Sequence, residues 1–271
     1  MSFDTNRKST SIEARDIDAF DHDGAVLIKS VFDEPLLAEL RVSVDAAMAQ
    51  SENYFRRQRV WEYDDTCRRF CLDSNAAEIA AQFLKSQKVN LLYDQVFAKE
   101  TANPATPWHN DLPYWPVRGG PVLTVWLALD PVKYESGPLE FIAGSHNWNR
   151  WFQPFTTLED GSADDFYAGT EDSFEPLPDF EAERDQHQIL CWEMDAGDIL
   201  VFDAMIVHAA RANSSTHIRR GYAVRYTGDG VSYHQGAEVN PRIINPLLKD
   251  GDPLDSEQYP VAYCNTSSQQ G

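Results

Sequence analysis

Residues 90–98, Asn-Leu-Leu-Tyr-Asp-Gln-Val-Phe-Ala, mark the point at which the chain changes to β character. The run contains Val, Tyr and Phe and neither Gly nor Pro, which is typical of a strand. Similar short runs follow it, separated by Gly-containing turn sequences. They lie at residues 122–129, 139–142, 198–202 and 220–226. Short strands joined by turns, without helices between them, predict a mainly β sandwich or barrel rather than a parallel sheet.

The residues before this run have helical character. After a predicted strand at 24–28, Asp-Glu-Pro at 33–35 is a typical helix start. Apolar residues then recur at helical spacing: Leu36, Leu37, Leu40, Val44 and Met48. A second helix is predicted over 76–86. We expect one domain over 1–271, with a mostly helical part at 1–88, a β core at 89–226 and a C-terminal extension at 227–271.

An acidic segment interrupts the β pattern at residues 148–195. It holds eleven Asp and Glu side chains between Glu159 and Asp185, against one basic residue, Arg184. Such a segment is most simply a solvated excursion from the core, while its aromatic start at 148–152 would also suit a lid over a pocket. Both interpretations stay open on the sequence alone.

The chain carries a formal charge of -20, from 43 acidic and 23 basic side chains. A field of that sign repels nucleic acids and anionic membranes, so neither is an expected partner. The charge serves solubility or attracts a cationic substrate, and alone it does not choose between them. No run approaches the roughly 20 apolar residues that span a bilayer, and the polar first residues lack the apolar core of a signal peptide. We therefore expect a cytoplasmic protein; its oligomeric state is not visible in the sequence.

The most informative motif is Thr-Pro-Trp-His-Asn-Asp-Leu-Pro-Tyr-Trp at residues 106–115. On a strand, residues i and i+2 project to the same face, so His109 and Asp111 are expected to converge. Two imidazoles and one carboxylate on one face of an octahedron suit Fe(II) and leave positions for other ligands. His208 is the best third ligand among the seven histidines, because it ends the apolar run 198–208 and a buried imidazole needs a partner. Taken singly, a His-x-Asp pair is common by chance, and a His after an apolar strand is more often a core residue.

An arginine follows these candidates at a suitable distance. Arg219 lies eleven residues after His208, at the start of the apolar run 221–224. A guanidinium there could receive a carboxylate in bidentate fashion at the inner end of a pocket. The combination favours a metal site that also binds a carboxylic acid.

These residues resemble the phytanoyl-CoA dioxygenase family of Fe(II)/2-oxoglutarate oxygenases, which also contains ectoine hydroxylase. The resemblance is carried by His-Asn-Asp at 109–111, by His208, by Arg219 and by Ser-Gly-Pro-Leu-Glu-Phe-Ile-Ala-Gly-Ser-His at 136–146. It implies a double-stranded β-helix, or jelly roll, mainly β with flanking helices. Iron is then bound near one open end by His109, Asp111 and His208.

The resemblance also implies 2-oxoglutarate as co-substrate and O2 as oxidant. In such proteins the basic residue matching Arg219 pairs with the distal carboxylate of 2-oxoglutarate, and residues matching Gln95 and Trp126 line its pocket. Thr124 could add a hydroxyl donor. Some relatives carry a hydroxyl residue at the position of Ala210, and its absence here leaves Thr124 or a backbone group to make that contact. The implied activity is hydroxylation or another oxidation of a small molecule, with release of succinate and CO2.

Asp111 argues against halogenation, because related halogenating enzymes carry Gly or Ala in its place. Two other functions compete with the dioxygenase. One is a cupin-like metal-binding or sensing protein that does not turn over 2-oxoglutarate, and the other is a jelly-roll metalloenzyme that uses no keto acid. Arg219 favours the dioxygenase over the first of these, since a metal site alone needs no guanidinium aimed at a carboxylate.

Substrate contacts are expected from the residues that flank the ligand pair: Trp108, Tyr114, Trp115 and Arg118. An aromatic wall suits an apolar body or a cationic amine, although each of these residues could equally belong to the core. The sequence does not distinguish an acyl thioester from an amino acid, an amine, an amino sugar or a secondary metabolite. We expect no catalytic residue beyond the metal ligands.

Overall fold

A computed structural model of the chain describes residues 11–50, 57–154, 156–157, 163–164, 174–236 and 239–265. The helices are α1 (Ala14–Asp23), α2 (Glu34–Gln50), α3 (Asp65–Asp73) and α4 (Ala76–Leu84). The strands are β1 (Ala25–Ile28), β2 (Lys88–Lys99), β3 (Thr106–His109), β4 (Val117–Arg118), β5 (Val122–Ala128), β6 (Leu139–Ile142), β7 (Thr156–Thr157), β8 (Ala163–Asp164), β9 (Ile189–Cys191), β10 (Ile199–Asp203), β11 (His208–Ala210), β12 (Arg219–Thr227), β13 (Ser232–Tyr233) and β14 (Val261–Cys264).

Two antiparallel sheets face each other across a shared core. The major sheet has the order β1-β10-β5-β12-β2-β14, and the minor sheet has the order β3-β11-β6-β9. Phe141 on the minor sheet packs against Phe202 on the major sheet, with ring centroids 5.1 Å apart. This arrangement confirms the predicted mainly β jelly roll, and every strand predicted from the sequence lies within two residues of an observed one.

The helices cover the outer face of the major sheet. Side chains alternate along β12, so Tyr222, Val224 and Tyr226 point toward the helices and join their apolar core. Leu37, Leu40 and Val44 of the predicted stripe are buried in that core, as expected of a helix that packs on one face. None of the helices in the described residues combines the length and the apolar character needed to span a bilayer.

The C-terminal extension contributes strands to two sheets. Its strand β14 adds to the edge of the major sheet beside β2, and β13 pairs with β4. The sequence pattern did not predict these strands, nor the helices α1 and α3. The described part of the acidic segment packs by Phe152 and Phe180 on the outer face of the minor sheet, whereas residues 155, 158–162 and 165–173 lie outside the described ranges.

A buried carboxyl group lies on the helix-facing side of the major sheet. Asp94 on β2 accepts hydrogen bonds from the Tyr222 hydroxyl and, at 3.0 Å, from the Trp61 backbone N–H. Burial raises the pKa of Asp94 from its usual 3.8 to about 7, despite these two hydrogen bonds. The folded protein therefore holds a proton that the unfolded chain releases, and it loses stability as the pH rises from about 4 through 7.

Replacing Asp94 with Asn should flatten this pH dependence, because a carboxamide oxygen accepts the same two hydrogen bonds without a charge. Since one pKa unit corresponds to about 1.4 kcal/mol, the full effect of the raised pKa is on the order of 4 kcal/mol, of which roughly 3 kcal/mol is lost between about pH 5 and about pH 8. Thermal unfolding at about pH 5 and about pH 8 measures it. The variant Asp185→Asn, at an exposed carboxyl, is the matched control. Equal pH dependence in Asp94→Asn and the wild type would contradict the assignment.

Candidate metal centre

Two imidazoles meet in the minor sheet because their strands are paired. In the register of β11 with β3, His208 lies directly opposite His109, and residues opposite each other share one face of a sheet. Their ring centroids are 4.3 Å apart. The Nε2 atom of His109 lies 3.6 Å from Oδ1 of Asp111, and one ligand atom from each of the three residues lies within 4.8 Å of the others.

Backbone carbonyl groups set the orientation of both rings. The Nδ1 atom of His109 lies 2.8 Å from the Pro107 carbonyl oxygen, and Nδ1 of His208 lies 3.1 Å from that of Ile206. A carbonyl oxygen only accepts, so Nδ1 carries the proton and Nε2 carries the lone pair in each neutral ring. Carbonyl contacts of this kind typically orient histidines that bind a metal.

Asp111 reaches the site from a turn rather than from a strand. Strand β3 ends at His109, and Asp111 has helical backbone angles at the start of a short 3-10 helix. The backbone N–H groups of Asp111 and Leu112 both donate to the Ala204 carbonyl oxygen at 3.0 Å. The predicted convergence is confirmed, but strand alternation is not its cause: the tight turn between β10 and β11 holds the backbone of Asp111 in place.

The protonation states at neutral pH suit metal binding. Burial alone raises the pKa of Asp111, but the imidazoles of His208 and His109 outweigh it and lower the value to about 2. Burial, followed by the nearby His109, lowers the pKa of His208 to about 4. An ionised carboxylate and a neutral imidazole are the forms that coordinate a metal ion. The donor set of two nitrogens and one oxygen therefore fits Fe(II).

The inner face of the major sheet lies across from these ligands. Along β12, the residues at alternate positions from 219 to 225 point inward, and their register partners on β2 and β5 share that face. The residues predicted from the sequence to contact 2-oxoglutarate are all among them: Arg219, Gln95, Trp126 and Thr124. Gln95 and Trp126 flank Ala223 on its two sides.

Arg219 is buried against an aromatic wall. Its guanidinium carbon lies 5.2 Å from the centroid of the Trp126 ring. The ring occupies the space above Gly221, where an added Cβ would lie 2.0 Å from the nearest ring atom. Lys99 is the register partner of Arg219, and burial, together with the Arg219 charge, lowers the pKa of Lys99 to about 7. This end of the interior is consequently basic.

The four residues predicted as substrate contacts have different surroundings. Tyr114 lies beside the ligands, with its ring centroid 6.3 Å from that of His109. The indole N–H of Trp115 donates to the Tyr93 hydroxyl oxygen at 2.9 Å in the core. Arg118 donates to the carbonyl groups of Trp115 and Val117, and so braces the loop that follows Asp111.

Trp108 is on the opposite face of the minor sheet from His109, as expected for neighbours on a strand. It lines a cleft of about 590 Å³ together with Glu140, Phe180 and Ala209. Glu140 is buried there in ion pairs with Arg184 and Arg211. The minor sheet therefore separates this cleft from the candidate ligands. The prediction that Trp108 contacts a substrate at the iron is wrong.

Sequence reasoning missed two residues on the inner face. Arg225 and its register partner Tyr93 are buried there, and the guanidinium carbon of Arg225 lies 4.6 Å from the Tyr93 ring centroid. The sequence did contain a signal for Arg225, because it lies an even number of positions after Arg219 on the same strand. Every second residue of a strand shares a face, so an inward Arg219 predicts an inward Arg225.

Comparisons with known proteins agree with this geometry. The family model described as Phytanoyl-CoA dioxygenase (PhyH) matches residues 20–221. A relative from Caenorhabditis elegans, described as a probable phytanoyl-CoA dioxygenase, is 21% identical over 133 residues, which are 49% of this chain and 39% of the relative. The match thus spans well under two thirds of that relative's length.

Solved structures share the fold at low identity. The non-haem α-ketoglutarate-dependent carbocyclase SnoK from nogalamycin biosynthesis has a TM-score of 0.74 at 20% identity, with 93% of this chain and 97% of SnoK covered. The epimerase SnoN, in complex with Fe3+, α-ketoglutarate and nogalamycin RO, has a TM-score of 0.72 at 23% identity, with 92% and 97% covered. EctD from S. alaskensis, with 2-oxoglutarate and 5-hydroxyectoine, has a TM-score of 0.68 at 20% identity, with 93% and 90% covered.

Replacing His109, Asp111 or His208 with Ala should abolish stoichiometric Fe(II) binding, because each change removes one of three ligands and leaves the sheet intact. Iron content after anaerobic loading and desalting measures this, and circular dichroism reports the fold. His217→Ala is the control, since His217 is an exposed histidine outside the cluster. A full equivalent of iron in all three variants would place the metal elsewhere.

Proposed function

Because the chain belongs to the phytanoyl-CoA dioxygenase family, we propose that it is a non-haem Fe(II)/2-oxoglutarate-dependent dioxygenase that oxidises a small molecule. The observation that carries the proposal is the cluster of His109, Asp111 and His208 in an interior that also contains the buried Arg219. A metal-binding protein without turnover has no use for a buried guanidinium beside an aromatic ring. This residue therefore favours the enzyme over the cupin-like alternative.

The three ligands would occupy one face of the iron. When bound, Fe(II) and 2-oxoglutarate supply the activation of O2, with succinate and CO2 as products. The chain's own contribution is orientation and the exclusion of water. The rings of Phe141 and Phe202 pack against His208, at 5.9 and 5.1 Å between centroids, and so close the interior around that ligand.

Arg219 would bind the distal carboxylate of 2-oxoglutarate through two parallel N–H donors. Trp126 supports the guanidinium from one side, and Gln95 offers an amide on the same inner face. Thr124 shares that face but lies opposite Arg225 rather than Arg219. The effect of Thr124→Val on 2-oxoglutarate affinity distinguishes whether its hydroxyl contacts the co-substrate or the substrate.

The carboxylate of Asp111 favours hydroxylation or another oxidation over halogenation, since it fills the position that a halide would need. The substrate is proposed to be a small molecule, as in the neighbours whose structures contain nogalamycin RO or 5-hydroxyectoine. A location in the cytoplasm stays a prediction from the sequence. Tyr114 is the predicted substrate contact that the geometry supports best, because its ring faces His109.

Adding 2-oxoglutarate to the Fe(II)-loaded protein without O2 should produce the weak visible charge-transfer band that is characteristic of the chelate. Exposure to air should then yield succinate. The matched control is the same protein loaded with Zn(II), which binds similar ligands but has no such band. If the folded, iron-loaded protein shows no band, the result would favour the two alternatives: a metal-binding protein without turnover, or a metalloenzyme that uses no keto acid.

Replacing Arg219 with Leu should weaken 2-oxoglutarate binding by about 10- to 100-fold and leave Fe(II) binding within about twofold, because only a charge-assisted bidentate pair is lost. The charge-transfer band, titrated with 2-oxoglutarate, measures the first quantity. Arg220→Leu is the control: the neighbouring arginine points outward and pairs with Asp130 and Asp45. Loss of 2-oxoglutarate affinity in Arg220→Leu alone would reverse the assignment.

A further inference from the structure

Arg225 is a second buried arginine that faces the interior. The Arg225 side chain is 3% exposed and is surrounded by aromatic rings. Its guanidinium carbon lies 4.6, 5.1 and 6.0 Å from the ring centroids of Tyr93, Phe97 and Trp115. Within the described residues, no carboxylate lies within ion-pair distance of it. Its only hydrogen bond there, to the Ala223 carbonyl oxygen, is long at 3.5 Å, and its Nε–H has no acceptor.

Arg225 occupies the row of the major sheet that contains Phe202, a residue that packs on His208. Its register partner on β5 is Thr124, whose own partner on β10 is Phe202. The Phe202 ring lies 5.1 Å from that of His208. The Thr124 hydroxyl is also buried, and no hydrogen-bond partner for it lies among the residues that the structure describes. A guanidinium and a hydroxyl, side by side on one inner face, are therefore both available to a ligand.

The co-substrate does not account for Arg225. In the proposed function, one carboxylate of 2-oxoglutarate lies at the iron and the other pairs with Arg219. The two arginines are six positions apart, which is roughly 20 Å along an extended strand, and their side chains contact different rings. Both carboxylates of 2-oxoglutarate thus have partners before Arg225 is considered.

The charges of the interior also favour a carboxylate ligand for Arg225. With Fe(II) and 2-oxoglutarate bound as proposed, their charges together with those of Asp111, Arg219 and Arg225 would sum to about +1, and a protonated Lys99 beside Arg219 would add to this. A buried charge without a counter-charge is costly, whereas a guanidinium that receives a carboxylate forms strong hydrogen bonds. One carboxylate on the substrate would give the Arg225 guanidinium a counter-charge and an acceptor for its Nε–H.

We propose that the substrate oxidised at the iron is a carboxylic acid, and that the Arg225 guanidinium and the Thr124 hydroxyl bind its carboxylate. The proposal rests on the proposed function and narrows its substrate class. It assigns Arg225 to the substrate and Arg219 to the co-substrate. Of the substrates open on the sequence, amino acids and acidic secondary metabolites meet this requirement, and simple amines do not.

The test compares acids with neutral molecules of the same shape. Benzoate, phenylacetate and their two amides are titrated by calorimetry into the Fe(II)-loaded protein, saturated with 2-oxoglutarate and kept without O2. At least one acid should bind about tenfold more tightly than its amide, as expected for a charge-assisted hydrogen bond. Arg225→Gln should remove the difference in affinity between the acid and its amide, and Arg225→Lys should retain much of it. Thr124→Val should lower the affinity for the acid by a few-fold.

Each outcome is decisive for one of the two proposals. Equal binding of acids and amides by wild-type protein that shows the charge-transfer band would overturn the role of Arg225. So would a loss of 2-oxoglutarate affinity in Arg225→Gln, because Arg225 would then serve the co-substrate. A loss of 2-oxoglutarate affinity in Thr124→Val alone would assign the Thr124 hydroxyl to the co-substrate instead of the substrate. If the wild type shows no charge-transfer band, the proposed function itself has failed.

Discussion

The pairing of β11 with β3 is the interaction on which the candidate site depends. It sets His208 opposite His109, and a slip of one residue would turn Ala209 inward and His208 out of the core. The same strand also pairs with β6, where Phe141 lies opposite His208 and stacks on its ring. Because β11 is held on both sides, its short length of three residues does not leave the register open.

The third ligand depends on the loop that closes this pairing. The chain turns tightly between β10 and β11, and the carbonyl group of Ala204 in that turn accepts the N–H groups of Asp111 and Leu112. The segment after β3 is thereby tied to the segment before β11. Two ligands that are 97 residues apart are thus held together by backbone hydrogen bonds, which do not depend on a metal ion.

Much of this could be predicted from the sequence, for identifiable reasons. The strands β1, β2, β5, β6, β10 and β12 have apolar runs, and α2 has a clear stripe, so propensity and periodicity predicted them correctly. The helix α3 and the strand β14 were missed because each is short and depends on tertiary contacts: Cys67, Phe70 and Cys71 are buried only because the major sheet lies beneath them. The face on which Trp108 lies was also missed, because neighbours in sequence were treated as neighbours in space.

The charge of the substrate is decided in the interior rather than at the surface. The surface is strongly acidic, yet exposed charges are screened by salt beyond roughly 8 to 10 Å, whereas buried charges are screened far less. Inside the jelly roll, the groups that face the candidate ligands are basic at two places, at Arg219 beside Lys99 and at Arg225, and the Asp111 carboxylate belongs to the candidate ligand cluster. An acidic exterior thus slows an anionic ligand on approach but does not set its affinity. The ligand is selected by the desolvated guanidinium of Arg225, because the binding free energy there depends on whether the ligand brings a negative charge.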